Sequence, residues 1–143
     1  MGEHPATVLV ECEDDLFVVE VGAHGEGDLV TSSEADGTLP DRPRPVGLVP
    51  SWAMGQLIDV DSSGSTVALL LDRRPPLLVS HDLGATWAER GGGLPRGRSL
   101  ALGQNPDHMV LAARNRVYVS ADGGLFWRSV NVELPEIREI AWG

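Results

Sequence analysis

Short apolar runs separated by turn residues recur along the whole chain. ATVLV, LFVVEV, TVALLL, PLLVS, MVLAA and RVYVS are rich in valine and leucine, and polar or turn-forming residues separate them. Runs this short, with no sustained 3.6-residue period, predict many strands and no long helix. Seventeen glycines and ten prolines, spread over the full length, supply the punctuation between them. Strands with a turn about every ten residues predict an all-β sandwich, barrel or propeller.

A repeat selects among these. Under a shift of 40, Leu94 and Pro95 fall on Leu134 and Pro135, Arg98 on Arg138, Ala101 on Ala141 and Gly103 on Gly143. STVALLL falls on HMVLAA under a shift of 43, the excess lying in a loop where DRRPP replaces RNR. A unit of about 40 residues and four strands matches one propeller blade. The predicted fold is therefore all-β, a β-propeller of four-stranded antiparallel blades with about three blades per chain. Blade one covers 6–35 and takes 137–142 as its remaining strand; a connecting loop covers 36–55, blade two 56–94 and blade three 97–134.

The clearest part of the repeat is a phrase. SHDLGATW begins at Ser80 and SADGGLFW at Ser120, with serine, aspartate, glycine and tryptophan at the same internal spacing. The first carries Ser80, Asp82, Gly84, Thr86 and Trp87. The second carries Ser120, Asp122, Gly124 and Trp127, with Phe126 in the threonine position. A carboxylate in a tight hairpin can accept inward-pointing amides, glycine permits a positive φ, and tryptophan covers the turn. This pattern resembles the Asp-box, or BNR repeat, of sialidase-like β-propellers. The resemblance is good over about residues 55–143 and weak over 6–35, where Val21 stands in the place of Asp122. It implies that the hairpins join the third and fourth strands of a blade, on the face away from the family's active site. The boxes are then structural, and their aspartates are not nucleophiles.

Composition narrows the partners. Eleven cationic against 21 anionic side chains give a net charge of −10, which disfavours nucleic acid and anionic membranes. Hydrophobic content of 42% in 143 residues is enough for a core. Cys12 is the single cysteine, so neither an intrachain disulfide nor a cysteine-based zinc site is expected, and it reads as a small core residue. The start of the sequence lacks both a basic region and a long apolar run, which predicts no signal peptide, no membrane span and a cytoplasmic chain. Ala6 occupies the place of the hydroxyl residue that a myristoylation signal at Gly2 would need.

Candidate chemistry is thin. DVDSSGS, from Asp59, has the opening of a calcium loop, but Leu70 stands where a bidentate glutamate is required; it reads as a turn between the first two strands of blade two. His4, His24, His81 and His108 share no ligand spacing, and His24, Glu26 and Asp28 read as a solvated loop, so no metal and no cofactor is expected. Sialidase chemistry needs an arginine trio and a tyrosine with a glutamate partner. Tyr118 is the only tyrosine and follows the alternation of a packed strand. The loops between second and third strands, which in propellers open opposite the boxes, carry Arg73, Arg74, Arg114 and Arg116, with Glu11 and Asp14 in blade one and Arg96 and Arg98 close by. These charges are either a binding rim or a solvated surface. The stretch 38–55, with four prolines and Trp52, reads as a connection over one face, or else as a binding loop anchored by Trp52.

The functional expectation is a non-enzymatic scaffold or binding module with a protein or glycan ligand. A sialidase-like glycosidase or carbohydrate-binding protein is the alternative. Three blades fall short of the roughly four to eight of a closed propeller. The strand count therefore predicts a homodimer closing a six-bladed ring, with Ile137, Ile140 and Trp142 of one chain pairing with Val8 and Val10 of the other; part of a longer or heteromeric propeller is the alternative.

Overall fold

In the computed structural model, which describes residues 6–13, 15–22, 27–33, 39 and 43–143, the valine- and leucine-rich runs form strands. In chain order these are β1 (Ala6–Cys12), β2 (Leu16–Val21), β3 (Gly27–Ser33), β4 (Leu57–Ser63), β5 (Thr66–Leu71), β6 (Leu77–Ser80), β7 (Ala88–Arg90), β8 (Ser99–Leu102), β9 (Met109–Ala112), β10 (Val117–Ser120), β11 (Arg128–Ser129) and β12 (Ile137–Trp142). They make three four-stranded antiparallel sheets: β12-β1-β2-β3 (sheet one), β4-β5-β6-β7 (sheet two) and β8-β9-β10-β11 (sheet three). The only helical elements among the described residues are two 3-10 turns, Val46–Leu48 and Ser51–Gln56.

The sheets stack through side chains of alternating direction. In β9, Met109 and Leu111 face sheet two, while Val110 and Ala112 face Val8, Val10 and Ile140 of sheet one. Sheet three is thus covered on both sides. Sheet two is covered twice as well, which explains why every residue of TVALLL is buried. Ala68 and Leu70 point towards sheet three, and Val67, Leu69 and Leu71 towards Leu48, Val49 and Ala53. The stretch expected to be a plain connection is therefore a packed layer. Pro45 and Pro50, with φ of −77° and −62°, lead into its two turns, and Ala53 is fully buried. Trp52 stays outside, 60% exposed.

Strands β4, β8 and β12 lie side by side at the inner edges of their sheets, with β8 touching both others. They belong to different sheets, so side chains make the connections. Asp59 accepts the amide of Leu100 and Asp61 that of Leu102, both at 2.8 Å. Ser99 Oγ accepts the amide of Ile140 at 3.1 Å, and Trp142 Nε1 donates to the carbonyl of Ala101 at 3.2 Å. The second oxygens of Asp59 and Asp61 accept the amides of Val60 and Ser62. Each aspartate therefore clasps two amides. DVDSSGS thus holds the expected turn between β4 and β5, at Gly64 with φ of +59°, while its two aspartates sit earlier, inside β4.

The closing strand has the partner that the strand count assigned to it: Val8 pairs with Trp142, Leu9 with Ala141 and Val10 with Ile140. Sheet one packs directly on sheet three, so residues 130–136 need only cross from β11 to place β12 against β1.

Candidate functional site

The two hairpins are built alike. Ser80 Oγ donates to Asp82 at 2.7 Å and accepts the amides of Gly84 and Asp82. Asp82 in turn accepts the Thr86 amide at 2.8 Å and the Thr86 hydroxyl at 2.6 Å. In the second hairpin Ser120 Oγ donates to Asp122 and accepts the amides of Gly124 and Asp122, and Asp122 accepts the amide of Phe126 at 3.0 Å. Gly84 and Gly124 have φ of +94° and +90°, and a Cβ at Gly84 would come within 3.3 Å of the Trp87 ring. Trp87 packs on the layer over sheet two, and Trp127 on the core between sheets two and three. Trp127 also donates to the Gly124 carbonyl at 2.8 Å.

Phe126 breaks the likeness. It has no hydroxyl to give Asp122, and its ring is 78% exposed. The acidities follow the donor sets. The hydroxyls of Thr86 and Ser80, with the Thr86 amide, pull the Asp82 carboxyl down to about 2. At Asp122 burial opposes ionisation, but the Phe126 amide and Ser120 hydroxyl outweigh it and leave the carboxyl below its ordinary value. Both Asp82 oxygens and Oδ1 of Asp122 are engaged in holding the hairpins.

At the opposite ends of β6 and β10 the loops form a rim. Ile58, Arg96, Gly97, Arg98 and Arg114 line an open cleft of about 480 Å³. A second of about 240 Å³ is lined by Arg73, Arg74, Pro76, Leu94 and Pro95 with Asp72, and shares Arg96 with the first. Of the rim residues read from the sequence, Arg73 and Arg74 lie together in the smaller cleft and Arg114 in the larger; Arg116 is exposed and lines neither. Glu11 does not belong to the rim. It sits in β1 opposite Glu139, and its carboxylate accepts the Leu39 amide at 2.8 Å. Asp14, His4 and His24 lie outside the described residues.

The sequence reading left out the carboxylates on which the rim arginines rest. Arg96 pairs with Asp72 at 3.1 Å, Arg98 with Glu136 at 2.7 Å, and Arg114 reaches the same Glu136 at 3.8 Å. The Arg98 hydrogen bond and charge, with Arg114 adding to them, hold the Glu136 carboxyl below its ordinary value. Arg44 was missed as well. It binds Asp59 at 2.9 Å and Glu139 at 2.7 Å, joining the inner strands of sheets two and one. The column Asp59, Ser99, Glu139, spaced by 40, was the available signal.

Tyr118 lines neither cleft: it is half-buried in β10 and packs into the core between sheets two and three. Cys12 is buried, its thiol pushed up to about 11 mainly by that burial, with the charges of Asp15 and Glu11 adding to it. His81 meets the Thr66 hydroxyl at 3.1 Å. Among the described residues no group of three or more His, Cys, Asp and Glu is placed to hold a metal ion, and no helix is long and apolar enough to cross a membrane.

No protein-family model matches the chain, and no curated protein matches it. Among solved structures it is similar to a GH74 enzyme from Niastella koreensis, with a TM-score of 0.46 and 17% identity. That match covers 92% of this chain and 18% of the enzyme. What fold and site define together is an all-β protein of three four-stranded antiparallel sheets with an arginine-lined rim.

Proposed function

We propose that this chain is a non-catalytic propeller module of the Asp-box type, which holds a binding rim in place. One observation carries the reading: the framework carboxylates are consumed in structure. Asp59, Asp61, Asp82 and Asp122 all spend oxygens on backbone amides. The carboxylates left beside the clefts, Asp72 and Glu136, are paired with arginine. A glycosidase needs a carboxylic acid kept protonated near neutral pH beside a second carboxylate. Glu136 is shifted the other way. Incubation with a chromogenic sialoside and a set of aryl glycosides is expected to give no turnover. Turnover that disappears in Tyr118→Phe would overturn the proposal in favour of the sialidase-like alternative.

Ring closure belongs to the same reading. Leu39 and Arg44 touch sheet one at Glu11 and Glu139, while Arg44 and residues 48–53 touch sheet two. The proline-rich stretch thus bridges the two flanks of the three-sheet arc. This favours closure within a single chain over the two-chain ring.

A further inference from the structure

The rim combines features that the scaffold does not require. All eleven cationic side chains of this acidic protein are arginines, and five of them line the two adjoining clefts. Arginine presents a planar fork of donors that suits carboxylates. The floor between these forks is apolar, made by Ile58, Leu94, Pro95 and Pro76. The two clefts meet at Arg96, which lines both, and together form one open track.

The track already shows what it takes. Glu136 reaches into the fork of Arg98 and Arg114, and Asp72 lies on Arg96. Both carboxylates are more than half exposed at the side chain, as are Arg96 and Arg114. Exposed ion pairs of this kind are weak and exchange readily. An incoming carboxylate can therefore replace Glu136 or Asp72 at little cost.

We infer that the rim track binds an extended acidic peptide segment, whose carboxylates take the places of Glu136 and Asp72 while its apolar residues lie on Ile58, Leu94 and Pro95. Carboxylates suit the arginine forks, and apolar side chains suit the surface of Ile58, Leu94 and Pro95 between them. The net charge of −10 sets an upper limit on charge density: a few spaced carboxylates are accepted, whereas a continuous polyphosphate is repelled. The inference names the ligand class for the binding-module reading and rests on it.

The test is fluorescence anisotropy of the full chain with a short labelled peptide of alternating glutamate and leucine. A glutamine–leucine peptide and a labelled oligonucleotide serve as controls. The acidic peptide is expected to bind with an affinity that falls as salt rises, and neither control to compete. Arg96→Glu combined with Arg114→Glu, both exposed positions, is expected to weaken binding by about tenfold or more. Glu136→Gln, which empties the Arg98 fork of its resident charge, is expected to tighten it severalfold. Equal binding of the glutamine peptide, preference for the oligonucleotide, indifference to the double variant, or weakening in Glu136→Gln would each overturn the inference. Glycoside turnover would defeat the non-catalytic reading without touching these results, so the two failures are distinguishable.

Discussion

The carboxylate of Asp59 accepts the amide of Leu100 from across a sheet boundary, at 2.8 Å and 41 residues away. Its other oxygen accepts the amide of Val60, and Arg44 lies against it at 2.9 Å. Inner strands that no backbone ladder joins are held together at this residue. Each buried amide left without an acceptor costs about 1–3 kcal/mol. Asp59→Ala, which also takes from Arg44 one of its two carboxylates, is expected to be more destabilising than Asp61→Ala, and Asp59→Asn milder because it keeps an acceptor. Urea midpoints of the three variants check this; unchanged midpoints in both alanine variants would mean that the clasps contribute nothing.

Thr86 and Phe126 occupy the same place in the two hairpins with opposite results. Thr86→Val removes the 2.6 Å hydroxyl bond to Asp82 and is expected to lower the urea midpoint. Phe126→Thr supplies Asp122 with that missing donor and withdraws an exposed ring from water. A gain of the same order in the urea midpoint is the expected outcome, and a loss would show that the Phe126 ring has packing of its own.

Acid sensitivity follows from the same hairpins. Asp82 titrates near 2 in the folded chain against an ordinary 3.8, so its folded value is depressed. A depressed carboxyl stabilises the fold fully above its unfolded pKa, and that contribution is lost as pH falls through the folded one. The Asp82 share is therefore present above about pH 4 and disappears towards pH 2, with Asp122 and Glu136 acting in the same direction. Carboxyl carbon NMR shifts followed through an acid titration give the Asp82 value directly. In Thr86→Val it is expected to move up towards 3.8; a midpoint that stays put would remove the hydroxyl as the main cause.

Light scattering is expected to find a monomer, because β12 already pairs with β1 in its own chain and Arg44 already bridges the flanks. A stable dimer that persists in Arg44→Ala would restore the two-chain ring. Removal of residues 136–143 is expected to produce an aggregating chain. It exposes the edge of β1 and uncovers Val8 and Val10, both fully buried.

How much was legible depended on the range of the interaction. The strands were readable because apolar runs and turns are local: Val8, Val10, Val19 and Val21 alternate inward as a period of two requires. The unbroken run TVALLL read as a strand, but nothing local said that Leu48, Val49 and Ala53 would cover its second face. The turn in DVDSSGS was legible from its glycine, whereas the acceptor role of Asp59 and Asp61 becomes visible only when the repeats are aligned in register. The partners Ile137–Trp142 and Val8–Val10 could be matched, yet pattern alone is blind to whether a pair forms in one chain or between two. Arg44 lies in the stretch that departs from the repeat, so only the column of its partners, Asp59 and Glu139, 80 residues apart, could have pointed to it.

The antiparallel join of β1 and β12 also sets how the molecule yields to force. Thr7 and Gly143 are bonded through the Gly143 amide at 2.7 Å, so both strands leave the sheet at the same corner. Tension applied there would open the ladder like a zip, one pair at a time from Val8 and Trp142 towards Cys12 and Ile137. A covalent bridge across that corner would remove the starting point of the zip, and the chain would then have to give way elsewhere and at higher load.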